Sequence, residues 1–263
     1  MAKTEDIRTI GIIIIGNEVL SGKVRDENTP FLIDSFNRAG LRVGEVAIVA
    51  DVVPRLAEVI RSFSERFDLV VTTGGVGPTH DDCTWQAVAV ALDQPLELHK
   101  ELVSRIETRS GETMSEEQKR MALLPRGTTL QLQDGRWPLL QARNVIVLPG
   151  VPSMVVGRIE ALCTRLARPR PWLATVYFTA DEWVCVPAID AVVADFADLE
   201  IGSYPVFHVA DHKLRLTFEG VEEARVQAAV AQVTEAIGAD QLVRVTWRPP
   251  TDLPPTDLAV DPA

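Results

Sequence analysis

Thr72-Thr73-Gly74-Gly75-Val76-Gly77-Pro78-Thr79-His80-Asp81-Asp82-Cys83-Thr84 is the stretch that decides the fold of this chain. It follows an apolar run, 67–71, that reads as a buried parallel strand. It precedes 85–92, whose Ala, Val and Leu spacing reads as a helix. A glycine-rich turn from strand to helix exposes backbone N–H groups beside the positive end of the helix. That is a cradle for phosphate or another anion. Asp81 and Asp82, adjacent carboxylates at the same entrance, are the donor type that a divalent cation such as Mg, Mn or Co takes. The functional reading is a phosphorylated ligand on Gly74, Gly75, Val76, Gly77 and Thr79, with a metal on Asp82 and Asp81. The competing reading is a structural turn, with Gly for tight geometry and Thr79 and Asp82 as a capping box. The loop is not a Walker A motif, because no Lys-Ser or Lys-Thr follows the glycines. It is not Gly-x-Gly-x-x-Gly either, so a dinucleotide fingerprint is not supported.

Working outward, 8–15 reads as a strand apolar on both faces, as at the centre of a parallel sheet. Helices are expected over 29–39, 54–66, 98–108, 115–122 and 153–166, and strands over 43–49, 68–73 and 144–148. A hairpin over 130–140 would turn at Asp134-Gly135. Strands alternating with helices predict right-handed βαβ units, an α/β fold with a doubly wound, mostly parallel sheet. Ligands of such sheets sit beyond the carboxyl ends of the strands. Gly16-Asn17-Glu18 and 73–82 both lie at such ends, so they converge on one site.

Arg168-Pro169-Arg170-Pro171 reads as a linker, since alternate prolines block a continuing helix. The pattern beyond it is strand 175–179, helix 186–196, strands 203–208 and 213–218, helix 221–237 and strand 241–245. That order is a split-βαβ, α+β module. The expected domains are therefore 1–168 and 173–247, with 248–263 as a disordered, Pro-rich tail.

Composition bounds the function. A chain of 263 residues, 46% hydrophobic, has enough core for one large and one small domain. A net charge of -11 argues against non-specific binding to nucleic acid or anionic membrane. It leaves a phosphate ligand open, because backbone N–H groups bind anions without net positive charge. Cys83, Cys163 and Cys185 are scattered, which fits a reducing cytosol and a cytoplasmic location better than disulfides or zinc. No apolar run spans a bilayer.

The ordered motifs resemble the molybdopterin-binding (MoaB/Mog-like) family. The variant Gly-Pro-Thr-His-Asp-Asp is most similar to the CinA N-terminal domain and the molybdopterin-binding-like domain of FAD synthase. Gly16-Asn17-Glu18-Val19-Leu20-Ser21-Gly22 resembles the family's first turn, and Asn28 with Phe31-Leu32 its Asn-containing helix start. Arg120-Met121-Ala122, Leu148-Pro149-Gly150-Val151-Pro152-Ser153 and Glu200-Ile201-Gly202-Ser203-Tyr204-Pro205 resemble later motifs. Two positions depart from the pattern. Asp26 stands where the family often has Asn, and Met154 follows Ser153 directly, so an acidic residue usual between them is missing.

The resemblance implies hydrolysis of a pyrophosphate bond in a nucleotide-like substrate such as ADP-ribose or FAD, with Asp82 and Asp81 as catalytic metal ligands. The rival it also implies is a molybdopterin- or nucleotide-binding module of molybdenum cofactor metabolism without turnover. Glu18 is a candidate ligand contact from the family motif, or a solvated loop charge. Asn28 contacts a ligand or caps its helix. Pro149 and Gly150 shape a loop against the ligand. His80 contacts phosphate or is solvated. The family's dimers and trimers imply a homo-oligomer. A KH-like role for the second module in RNA binding would need a Gly-x-x-Gly clamp and a basic surface, and neither is present.

Overall fold

The computed structural model describes residues 7–133 and 136–249. The expected turn at Asp134-Gly135 and nearly all of the expected tail lie outside them. The chain divides into two compact units at residue 167/168.

The first unit begins with β1 (Thr9–Ile15), followed by the four-residue helix α1 (Asn17–Leu20), α2 (Asn28–Arg38), β2 (Arg42–Val49) and α3 (Val53–Arg66). Then come β3 (Leu69–Thr73), α4 (Thr84–Ala91), β4 (Leu96–Leu98), α5 (Lys100–Ser110) and β5 (Leu123–Pro125). It closes with β6 (Thr129–Gln133), β7 (Arg136–Ala142), β8 (Val145–Leu148) and α6 (Pro152–Leu166). The main sheet has the order β2-β1-β3-β8-β7-β6. β2, β1, β3 and β8 run parallel, and the β6–β7 hairpin adds an antiparallel edge.

β1 is buried along almost its whole length because helices cover both faces. Ile10, Ile12 and Ile14 pack with Leu32, Phe36 and Ile159 from α2 and α6. Ile13 and Ile15 pack with Leu56, Ile60 and Val88 from α3 and α4. Alternate side chains of one strand therefore serve two cores, the reason the run reads as continuously apolar. Gly11 and Gly44 leave space for one ring: a methyl on either would lie 2.5 or 2.6 Å from Phe67.

Two expected helices are corrected. The segment 115–122 makes only a tight 3-10 turn, Gln118–Ala122. Ser115 and Gln118 cap each other's N–H groups there, and the chain then extends to pair β5 with β4. The helix expected from 98 starts at Lys100, because Leu96–Leu98 is strand and the His99 imidazole accepts the Leu102 N–H at the helix start.

The second unit runs β9 (Trp172–Phe178), α7 (Glu182–Asp195), β10 (Glu200–Pro205), β11 (Leu214–Gly220), α8 (Glu223–Ile237) and β12 (Leu242–Arg248). Its antiparallel sheet has the order β10-β11-β9-β12. α7 starts four residues before the expected 186 and holds Pro187 inside it. Ala174, Val176, Phe178, Leu214, Leu216 and Phe218 face the helices and form the core with Val226 and Val233. Among the described residues, no helix is long and apolar enough to cross a membrane.

Candidate functional site

The chain leaves β1 for β2 on one side and reaches β3 on the other, so the sheet's topological switch lies between β1 and β3. Loops beyond the carboxyl ends at such a switch form the ligand crevice of doubly wound sheets. Here they are Gly16–Glu18 after β1, Ala50-Asp51 after β2, 74–82 after β3 and Pro149-Gly150 after β8.

The glycine loop is built by close approach. A methyl on Gly74 would lie 2.0 Å from the Ile15 carbonyl oxygen, and its φ of +106° is itself one that L side chains rarely adopt. The Gly74 N–H donates to the Leu148 carbonyl at 3.1 Å. Thr84, the first residue of α4, fastens the other side: its hydroxyl donates to the Gly74 carbonyl at 2.8 Å and its N–H to the Gly75 carbonyl at 3.0 Å. Gly150 lies against Gly74, since a methyl on it would sit 3.4 Å from the Gly74 α-carbon.

Asp82 closes the outer half of the loop. Its carboxylate accepts the Gly77 N–H at 2.7 Å, the Thr79 N–H at 2.8 Å and the Thr79 hydroxyl. Two corrections follow. Asp82 does not cap α4, which starts at Thr84 with no side-chain cap. The expected cradle is also narrower than 74–77: Gly74 and Gly77 already donate within the protein, whereas the N–H groups of Gly75 and Val76 have no partner among the described residues.

Asn28 does not cap its helix. It is buried, and its Nδ2 donates to Thr73 Oγ1 at 3.0 Å and to the Gly150 carbonyl at 2.8 Å. The departure at Asp26 performs the capping instead: its Oδ1 accepts the N–H groups of Asn28 and Thr29, both at 3.0 Å. His80 is almost fully exposed, 3.9 Å from Asp81, which matches a solvated loop histidine. Glu18 and Asp81 are exposed carboxylates.

Sequence reasoning missed Asp51. Its Oδ2 accepts the Asn17 N–H at 2.8 Å, tying the β2 loop to the β1 loop. Its Oδ1 lies 3.3 Å from where a Gly75 methyl would stand. Burial, then the charges of Glu18 and Asp81, push its carboxyl above the ordinary range despite the Asn17 hydrogen bond. The Cys83 thiol is pushed up by burial and by Asp51, Asp82 and Asp81. Glu18, Asp51, Asp81 and Asp82 therefore share one electrostatic environment beside the unpartnered Gly75 N–H. The rule that placed the Gly16-Asn17-Glu18 loop at the site, its position just beyond a parallel strand, applies equally to β2 and would have found Asp51.

The expected metal pair does not fit this geometry as a resident centre. Among the described residues, no three His, Cys, Asp or Glu side chains converge to hold an ion. Both Asp82 oxygens are engaged with N–H donors.

The first unit is thus a doubly wound α/β domain with a loop-lined crevice at its switch point. Residues 11–168 match the family described as "Probable molybdopterin binding domain", and residues 171–246 match "FAD synthase, middle domain". The chain belongs to the molybdopterin-binding domain family. It is 31% identical over 227 residues to a protein of Archaeoglobus fulgidus, covering 86% of this chain and 96% of that one. It is 29% identical to a probable FAD synthase of Caenorhabditis briggsae, covering 88% of this chain but only 50% of the relative's length. The crystal structure of CinA from Thermoplasma acidophilum, itself described as of unknown function, is similar with a TM-score of 0.56 and 26% identity. It covers 61% of this chain and 98% of that one.

Proposed function

We propose that the glycine loop holds the phosphate of a nucleotide-like substrate such as ADP-ribose or FAD, and that the chain hydrolyses its pyrophosphate bond. The observation that carries this reading is the pairing of two unpartnered N–H groups, on Gly75 and Val76, with a carboxyl of raised proton affinity, Asp51, beside Gly75. The N–H groups would stabilise charge developing on a phosphoryl oxygen. Asp51 would take a proton from the attacking water as oxygen bonds to phosphorus and the P–O–P bridge breaks. For ADP-ribose the products are AMP and ribose 5-phosphate, and for FAD they are AMP and FMN. Likeness to a probable FAD synthase and to a molybdopterin-binding domain supports a ligand carrying phosphate and a heterocycle. No step is assigned to a metal, because the side chains do not build a centre for one; dependence on Mg, Mn or Co is a separate observable. A homo-oligomer is proposed on the resemblance alone.

A second reading, a pterin- or nucleotide-binding module without turnover, is favoured by one observation. Both carboxylate oxygens of Asp82, the expected catalytic ligand, accept hydrogen bonds that hold the loop closed. Product release from ADP-ribose and FAD, with and without Mg, Mn and Co, separates the two. Turnover by the wild type that falls about a hundredfold or more in Asp51→Asn, with binding kept, supports hydrolysis. Tight binding with no product in any metal overturns it in favour of the second reading.

A further inference from the structure

We infer that the open face of the second unit's sheet is a separate binding site for a nucleoside phosphate. The strand register sets four side chains in one row across all four strands, on the face turned away from α7 and α8: Tyr204, Arg215, Tyr177 and Arg244. Aromatic and cationic groups alternate along it. The Arg215 guanidinium lies 4.7 Å from the centre of the Tyr204 ring, and that of Arg244 lies 3.9 Å from the centre of Tyr177. Tyrosine rings and guanidinium planes are the surfaces on which nucleobases stack.

Charge on this unit is sorted by face. Between 172 and 248 the chain carries five Lys or Arg against twelve Asp or Glu. Three of those five, Arg215, Arg244 and Arg248, lie on strand positions of the open face, against Glu200 and Glu219 among the acids. Arg244 pairs with Asp211 and Arg248 with Glu219, but Arg215 at the centre of the sheet has no carboxylate partner among the described residues. An exposed guanidinium between two tyrosines, unneutralised in so acidic a chain, is complementary to a phosphate.

The adjoining row is Gly202, Thr217, Thr175 and Thr246, and its three hydroxyls have no partner within the protein among the described residues. They offer hydrogen bonds to a ribose or a phosphate beside the stacking row. Gly202 sets the shape of the platform: a methyl there would lie 2.7 Å from both the Tyr204 hydroxyl and Thr217 Oγ1. Only glycine lets the Tyr204 ring lie along the sheet.

The test is photolabelling of the full chain with 8-azido-AMP, with the modified peptides mapped and AMP, adenosine and ribose 5-phosphate as competitors. The expected result is label on peptides containing Tyr177 or Tyr204, displaced by AMP better than by adenosine or ribose 5-phosphate. Arg215→Ala should weaken AMP by about tenfold or more. Gly202→Ala should also weaken it while thermal unfolding shows the unit still folded. Label confined to peptides of residues 74–82 overturns this site and leaves the glycine-loop reading standing; label on the sheet with none on that loop does the reverse. A single-stranded oligonucleotide that binds far more tightly than AMP overturns the small ligand in favour of nucleic acid.

Discussion

The Asn28 side-chain amide donates at 2.8 Å to the Gly150 carbonyl, joining residues 122 positions apart. Through its second bond, to Thr73 Oγ1 at 3.0 Å, it locks the end of β3 to the loop after β8. The glycine loop thus hangs between two strand ends held by one buried amide.

Asn28→Ala should therefore destabilise the first unit by about 2–3 kcal/mol, because it leaves a buried hydroxyl and a carbonyl without their donor. Denaturant unfolding checks this. A variant as stable as the wild type would mean that Asn28 does not hold the loop.

Asp82→Asn is expected to loosen the loop. An amide has one acceptor oxygen where the carboxylate accepts from Gly77 and Thr79 on two. The second position becomes an N–H group facing an N–H group. A loss of about 1–3 kcal/mol is expected, since hydrogen bonds to charged groups are the stronger kind. Thermal unfolding and loop proteolysis read it. Unchanged stability with lost turnover would restore Asp82 as a chemical group.

Gly74→Ala should fail to give a stably folded first unit, since its methyl would meet the Ile15 backbone oxygen at 2.0 Å. Gly75→Val is also a structural substitution, because its side chain would strike Thr84 Oγ1 at 2.5 Å before any ligand. Soluble yield and circular dichroism check both. A folded Gly74→Ala variant would contradict the described approach of β1 and the loop.

Asp51 carries a pH prediction. Its folded carboxyl holds a proton more tightly than the ordinary value of 3.8 allows. Its favourable contribution to stability is thus present below that value and is lost as pH rises through the folded pKa. Asp51→Asn should gain on the wild type as pH rises from 3 to 7, by about 1–3 °C in Tm at neutrality, a small effect because the group is partly solvated. The acid limb of the turnover profile should disappear in the same variant. A wild type that gains on the variant over that interval would reverse the sign.

The parallel core was legible because β1 and β3 are buried on two faces, and continuous apolar runs have few other solutions. The convergence of the Gly16 and Gly74 loops followed from strand direction alone. Of the loop's internal bonding only the Thr79–Asp82 pair was legible. Nothing local tells that Gly77 donates to Asp82 while the Val76 N–H has no partner among the described residues, since both are amides of one turn. That Asn28 holds the loop rather than capping its helix was hidden for the same reason: its partners, Thr73 and Gly150, lie far along the chain. Asp51 was legible only by its place just beyond β2, and its contact with the Asn17 N–H shows it in the crevice.

The central claim is that Gly75 and Val76 are the anion donors. Amide NMR of the isotope-labelled chain titrated with ADP-ribose tests it most directly. Downfield shifts of the Gly75 and Val76 amides, with Gly74 and Gly77 little changed because their N–H groups are already bonded, are the predicted result. Saturable binding that leaves Gly75 and Val76 unmoved would contradict it.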